Sequence, residues 1–212
     1  MPCLLRLTAP QFCATSDGPS LVPPVEAEFD EPGIVRLAGP NGSGKSTLLE
    51  LCGGWLTPTR GSVEIAGHPA RSPAAHRWRA MVRERPALYG ALTIRDHVEF
   101  VCRLHRADVE EALERAQRLG LSPWLDTPAR HLSTGTEKKA WLVTATIGPW
   151  SVGFFDEPFL GLDDDSVGAV TALLRDWSSR RLVVLVDHTD AVRPVDHVIE
   201  LPTTSHPITT QE

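Results

Sequence analysis

The chain has 212 residues, 42% of them hydrophobic and 23% charged, with a formal net charge of -6. That length supports one large domain with its own core, and the acidic balance argues against a nucleic-acid partner, whose phosphates Lys and Arg would have to neutralise. The opening MPCLLRLTAP is too short an apolar run for a signal peptide, no stretch approaches the roughly 18 apolar residues of a membrane span, and Cys3, Cys13, Cys52 and Cys102 form no C-x-x-C pair, so a reducing cytosol without disulfides or zinc is expected.

In chain order, SDGPSLVPP (16–24) is rich in turn formers and reads as a surface loop. GIVRLAG (33–39) reads as a short buried strand running into PNGSGKSTLLELCGG, where Leu48, Leu49 and Leu51 support a helix and Gly53–Gly54 would end it. RGSVEIAG (60–67) alternates as a strand does. Arg71, Arg77, Arg79, Arg83 and Arg85 make a basic run, expected to be a solvated face. From Thr93 to Gly120 the pattern turns helical, and Val109, Ala112, Leu113, Ala116 and Leu119 form one stripe, expected to pack in the core. TEKKAWLVTAT, behind Ser133 and Gly135, could be a further helix. VGFFD (152–156), RLVVLVDH (181–188) and HVIEL (197–201) read as strands, with a helix over Ser166–Trp177. Strands alternating with helices imply an α/β fold whose mostly parallel sheet is covered on both faces. The helical middle reads as an insertion, with 71–92 as the joint.

GPNGSGKST (39–47) fits G-x-x-x-x-G-K-[ST] between a strand and a helix. Gly39, Gly42 and Gly44 let backbone N–H groups turn towards phosphate oxygens, and the helix start adds its positive dipole end. Pro40, Asn41 and Ser43 complete the loop. Lys45 would reach the β- and γ-phosphates, Ser46 would hold Mg²⁺, and Thr47 could donate to a further phosphate oxygen. FFDEP (154–158) ends an apolar strand in two acids. Asp156 would sit at the strand tip as a Mg²⁺ partner, and Glu157, pointing the other way along the strand, could polarise a water as general base. His188 ends another strand on the same edge, where it is either structural or a donor to the γ-phosphate.

Together these motifs resemble, in order and over nearly the whole chain, the nucleotide-binding subunit of an ATP-binding cassette (ABC) transporter. GPNGSGKST resembles Walker A, LSTGT (132–136) the family signature, FFDEP Walker B, GLDD (161–164) the D-loop with Asp163, and DHT (187–189) the switch-histidine loop. RERPALYGALT (83–93) resembles the Q-loop, with Glu84 where glutamine is usual.

The resemblance implies a P-loop NTPase core with an N-terminal β region and an inserted helical subdomain. That is one domain over 1–212, with its core at 1–83 and 150–212 and the helical part at about 84–149. It implies ATP and Mg²⁺, with Ser46, Asp156 and Glu84 at the metal and Glu157 and His188 catalytic. Two cassettes would pair head to tail, as homodimer or heterodimer, so that Ser133 and Gly135 serve ATP bound to the partner. Phe12 is the candidate for stacking on adenine, its alternative being a core residue. An integral membrane permease would dock near Leu88, Tyr89 and 93–100, placing the chain in the cytoplasm at the inner face of the membrane. Thr134 and Thr136 depart from the signature, and a β-branched residue at 134 would be strained if that position needs positive φ. The alternatives are a non-transport ABC ATPase, or a P-loop kinase whose lid is the arginine run.

Overall fold

In a computed structural model that describes residues 3–15, 18–189 and 191–202, the chain forms nine strands and six α-helices among these described residues. In order they are β1 (Leu5–Gln11), β2 (Glu26–Phe29), β3 (Gly33–Ala38), α1 (Lys45–Cys52), β4 (Arg60–Ile65), β5 (His68–Pro69), α2 (Pro73–His76) and β6 (Arg79–Val82), then α3 (Ile94–His105), α4 (Val109–Arg118), α5 (Thr134–Ala145), β7 (Val152–Asp156), α6 (Asp164–Ser178), β8 (Leu182–Val186) and β9 (His197–Glu200).

One sheet is antiparallel, in the order β2-β1-β4-β5. The other runs β6-β7-β8-β3-β9, and each of its pairings is parallel. Every residue of β7 and β8 is buried, which is why both read as continuous apolar runs: helices cover both faces of a parallel sheet. The register pairs Leu37 with Val186 and Asp156 with Val186. The loops leaving β3, β7 and β8 therefore emerge side by side at one carboxyl edge, where ligands of such sheets bind.

Alternation along β7 sends its two phenylalanines into different cores. Phe155 packs with Trp150 and Trp177, its ring 5.8 Å from that of Trp177. Phe154 packs with Leu48, Leu49 and Leu51 of α1 and with Leu5 and Val63 of the antiparallel sheet. Each ring removed from water contributes about 1.5–3 kcal/mol.

The helical stretch after Thr93 divides into two helices. A capping box between Thr93 and Asp96 starts α3. Arg106 ends it in a left-handed turn, φ 54°, and Asp108 caps α4 by accepting from the N–H groups of Glu110 and Glu111. The expected stripe does face the core: Ala112, Ala116 and Leu119 are buried, with Val109 and Leu113 packed against them.

Two surface expectations need correction. Val22, in the turn-rich segment, is fully buried in the second core. The arginine run is not uniformly solvated. Arg79 is half-buried and donates to the Ala70 carbonyl, and burial lowers its pKa. Arg83 lies 4.4 Å over the Trp55 ring and pairs with Glu50 at 2.8 Å. A long aliphatic stem and a planar head let Arg83 pack on tryptophan while its charge stays paired. Arg71, Arg77 and Arg85 are exposed. Among the described residues, no helix is long and apolar enough to cross a membrane.

Candidate active site

The loop from β3 to α1 is shaped by its glycines. Gly39, Gly42 and Gly44 take φ values of 146°, 79° and 91°. Gly44 caps α1, and a Cβ there would run into the Leu21 backbone carbonyl, so both conformation and space require glycine. Lys45 opens the helix and is buried. Its Nζ donates to the Gly39 and Pro40 carbonyls, at 2.7 and 3.0 Å, which folds the ammonium over the loop. Among the described residues, the buried Ser43 hydroxyl has no hydrogen-bond partner. No acid occupies the first turn of α1, so the helix start keeps its positive end.

Ser46 Oγ donates to Asp156 Oδ1 at 3.5 Å. Glu157 is where the strand rule fails. Regular alternation would turn it away from Asp156, but Glu157 leaves β7 with φ 47° while its N–H donates to the Val186 carbonyl at 3.0 Å. The left-handed residue, at a cost of about 1–2 kcal/mol, brings both acids onto one cavity. His188 Nε2 lies 3.2 Å from Glu157 Oε1.

That cavity has a volume of about 800 Å³, within the range of nucleotide-sized pockets. Asn41, Gly42 and Gly44 through Thr47 line one side; Glu84, Asp156, Glu157 and His188 line the other. Ser46, Asp156 and Glu84 offer only oxygen, a donor set that fits a small hard dication. Phe12 is not among the lining residues. Its side chain packs against the second core, while its carbonyl accepts from the Leu21 N–H at 2.7 Å, and Leu21 lines the cavity. Only the return of the chain after the loop brings Leu21 there, so spacing along the sequence gave no sign of it.

Burial is the largest influence on both acids and raises the pKa of each. For Asp156 the Ser46 hydroxyl opposes the rise and Glu84 adds to it. For Glu157 the neighbouring His188 opposes it, while Asp187 and Asp156 add to it. An acid held above its unfolded value binds its proton more tightly in the folded chain. Its contribution to stability is therefore lost as pH rises from 3.8, the ordinary aspartate value, through the raised folded value. Asp156→Asn is expected to raise the thermal midpoint at neutral pH, by a margin that shrinks as the buffer is acidified. Scanning calorimetry of the nucleotide-free chain checks this, and a lowered midpoint at neutral pH would contradict it.

The 132–136 segment starts α5. Ser133 is its N-cap, accepting from the Thr136 N–H at 3.2 Å and sharing a 2.8 Å hydrogen bond with the Thr136 hydroxyl. Thr134 is the first helical residue and lacks positive φ, so the strain feared for a β-branched residue there does not arise. Gly135 is needed for space: a Cβ would come within 2.9 Å of the Gly161 carbonyl. Asp163 caps α6, accepting from the Ser166 N–H at 2.8 Å. Ser133, Gly135 and Asp163 do not line the cavity.

A parallel sheet with a strand–glycine loop–helix unit, and carboxylates at the tip of a neighbouring strand, defines a P-loop nucleoside triphosphatase. A sequence profile of the ABC transporter family matches residues 23–160, and the chain belongs to that family. It is 34% identical to the cytochrome c biogenesis ATP-binding export protein CcmA of Aromatoleum aromaticum, over 74% of this chain and 77% of that protein. It is 30% identical to the thiamine import ATP-binding protein ThiQ of Vibrio cholerae, over 73% and 68%. The solved ATP-binding subunit of an ABC transporter superposes with a TM-score of 0.81 at 26% identity, covering 93% of this chain and 85% of that one. A dimeric bacterial ABC transporter cassette, at 21% identity, shares the fold with the same TM-score over 94% of each chain. The chain is thus an ATP-binding and ATP-hydrolysing protein of the ABC transporter family.

Proposed function

We propose that residues 1–212 act as a single ATPase domain that closes on a second cassette, the same chain or a different one, with ATP at the interface. The observation that carries this reading is the gathering of Lys45, Asp156, Glu157 and His188 on one cavity while Ser133 and Gly135 lie outside it. ATP phosphates would lie on the loop of Gly39–Thr47, with Lys45 leaving its carbonyl partners for the β- and γ-oxygens. Leu21 offers the apolar contact for the base, with Phe12 packed behind the loop. Ser46, Asp156 and Glu84 would hold Mg²⁺, which when bound neutralises phosphate charge.

Glu157 takes a proton from the attacking water as its oxygen bonds to the γ-phosphorus. The bond to the ADP oxygen breaks, and the proton returns to phosphate. His188, 3.2 Å from Glu157, holds that carboxylate in place and can donate to the γ-phosphate. Ser133, Gly135 and the start of α5 would face the nucleotide of the partner, with Asp163 beside them. Docking of the permease at the inner, cytoplasmic face of the membrane is supported by exposed side chains around the helical part, about residues 84–149: Tyr89 is 70% exposed and Phe100 60%.

Tagged Glu157→Gln, incubated with Mg-ATP and detergent-solubilised native membranes, is expected to co-purify with a polytopic membrane protein. Recovery with soluble proteins alone would overturn the permease assignment and favour a non-transport ATPase.

A further inference from the structure

Two adjacent lysines on α5 have different fates. Lys139 is half-buried, and its Nζ donates to Ser166 Oγ of α6 at 3.1 Å. Lys138, one turn after Gly135, is 2% exposed. Its Nζ donates to the Glu84 carbonyl at 2.6 Å, the Arg83 carbonyl at 3.3 Å and the Asp156 carbonyl at 3.5 Å. An ammonium has three donors, and all three are used on backbone oxygens. A buried charge this well bonded is costly to remove on one side only.

The three segments it ties are α5, whose start carries Ser133 and Gly135, the chain just after β6, and the tip of β7. The same peptide whose carbonyl it holds carries the Glu84 side chain into the cavity. Glu84 thus adds a third carboxylate beside Asp156 and Glu157; burial lowers the pKa of Lys138, and the charges of these three acids oppose that fall.

We propose that Lys138 is a positioning residue that fastens the partner-facing start of α5 to the acidic edge of the chain's own cavity and offsets the charge of Glu84. The inference rests on the ATPase reading above. Two effects follow. Without Lys138 the Glu84 and Asp156 backbone loses its anchor, and the three acids lose one of the positive charges that offset them. The second effect depends on Glu84 being charged, and a merely structural lysine would not show it.

The test uses the full chain with Lys138→Met, and Lys138→Gln should the first variant fold poorly, each alone and with Glu84→Gln. The rate of phosphate release is normalised to the nucleotide-binding sites that titrate. Amide hydrogen exchange over 83–88 is followed by mass spectrometry without nucleotide. The single Lys138 variants are expected to lose about 10-fold in rate per binding site and to exchange faster over 83–88. The rate loss is expected to be at least about 3-fold smaller in the Glu84→Gln background. An equal loss in both backgrounds, or an unchanged rate and exchange, overturns the proposal. A wild-type chain that binds ATP but releases no phosphate would overturn the ATPase reading instead, and the exchange result would still judge the anchoring role of Lys138.

Discussion

Glu157→Gln is expected to slow ATP hydrolysis about 10²–10⁴-fold, the usual worth of a positioned general base, while ATP binding survives. The amide matches the carboxylate in shape and can still accept a hydrogen bond from His188, which lies 3.2 Å from the native Oε1. What it lacks is basicity. Burial raises the Glu157 pKa above the ordinary glutamate value, which makes the carboxylate a better proton acceptor at neutral pH. The phosphate loop and Lys45 are untouched by the substitution, so the nucleotide stays. If the signature segment of one chain serves the nucleotide of another, the arrested state is a dimer. Light scattering should then show the mass doubling on addition of Mg-ATP to the variant and falling back when nucleotide is removed. A variant that stays monomeric at saturating ATP would argue against self-pairing and for a different partner cassette. One that hydrolyses at the wild-type rate would remove Glu157 from the role of base.

Lys45→Ala is expected to weaken ATP binding about 10–100-fold, because hydrogen bonds to charged groups contribute about 1.5–3 kcal/mol. The buried Nζ donates to the Gly39 and Pro40 carbonyls. Alanine therefore removes both a phosphate partner and a clasp across the loop, and hydrolysis should fall with binding. Titration with a fluorescent ATP analogue measures the loss directly. An affinity within about 3-fold of wild type would mean that the loop amides and the α1 dipole hold the phosphates without the lysine.

The strands that the sequence discloses most plainly are those whose surroundings are uniform. β7 and β8 lie inside a sheet covered on both faces, so every residue is apolar-facing and the run is conspicuous. β1, β2 and β6 were not singled out. β6 is four residues long and begins inside the arginine run, so its charge disguised a strand whose Ala80 and Val82 are buried. The glycine loop, Asp156, Glu157 and His188 follow from motif spacing and Glu84 from the family resemblance, and the cavity gathers all four side chains beside the loop. What spacing could not give was orientation. A glutamate in a left-handed conformation carries no compositional mark, so Glu157 seemed to face away from the acid beside it. Nothing in the spacing marks Lys138 as buried, because burial of a lysine depends on carbonyls more than 50 residues away, at positions 83 and 84. Leu21 was hidden for the same reason, on a loop whose return brings it to the cavity.

The split of Phe154 and Phe155 into two clusters has a consequence for how the molecule comes apart. β7 is a party wall, and neither cluster can loosen without exposing one side of it. The antiparallel sheet, α1 and the helices on the far side are thereby made into one cooperative unit, although the chain visits them far apart in sequence. Asp156 and Glu157 hang from the end of that wall, so a change that loosens either cluster also reaches the two acids.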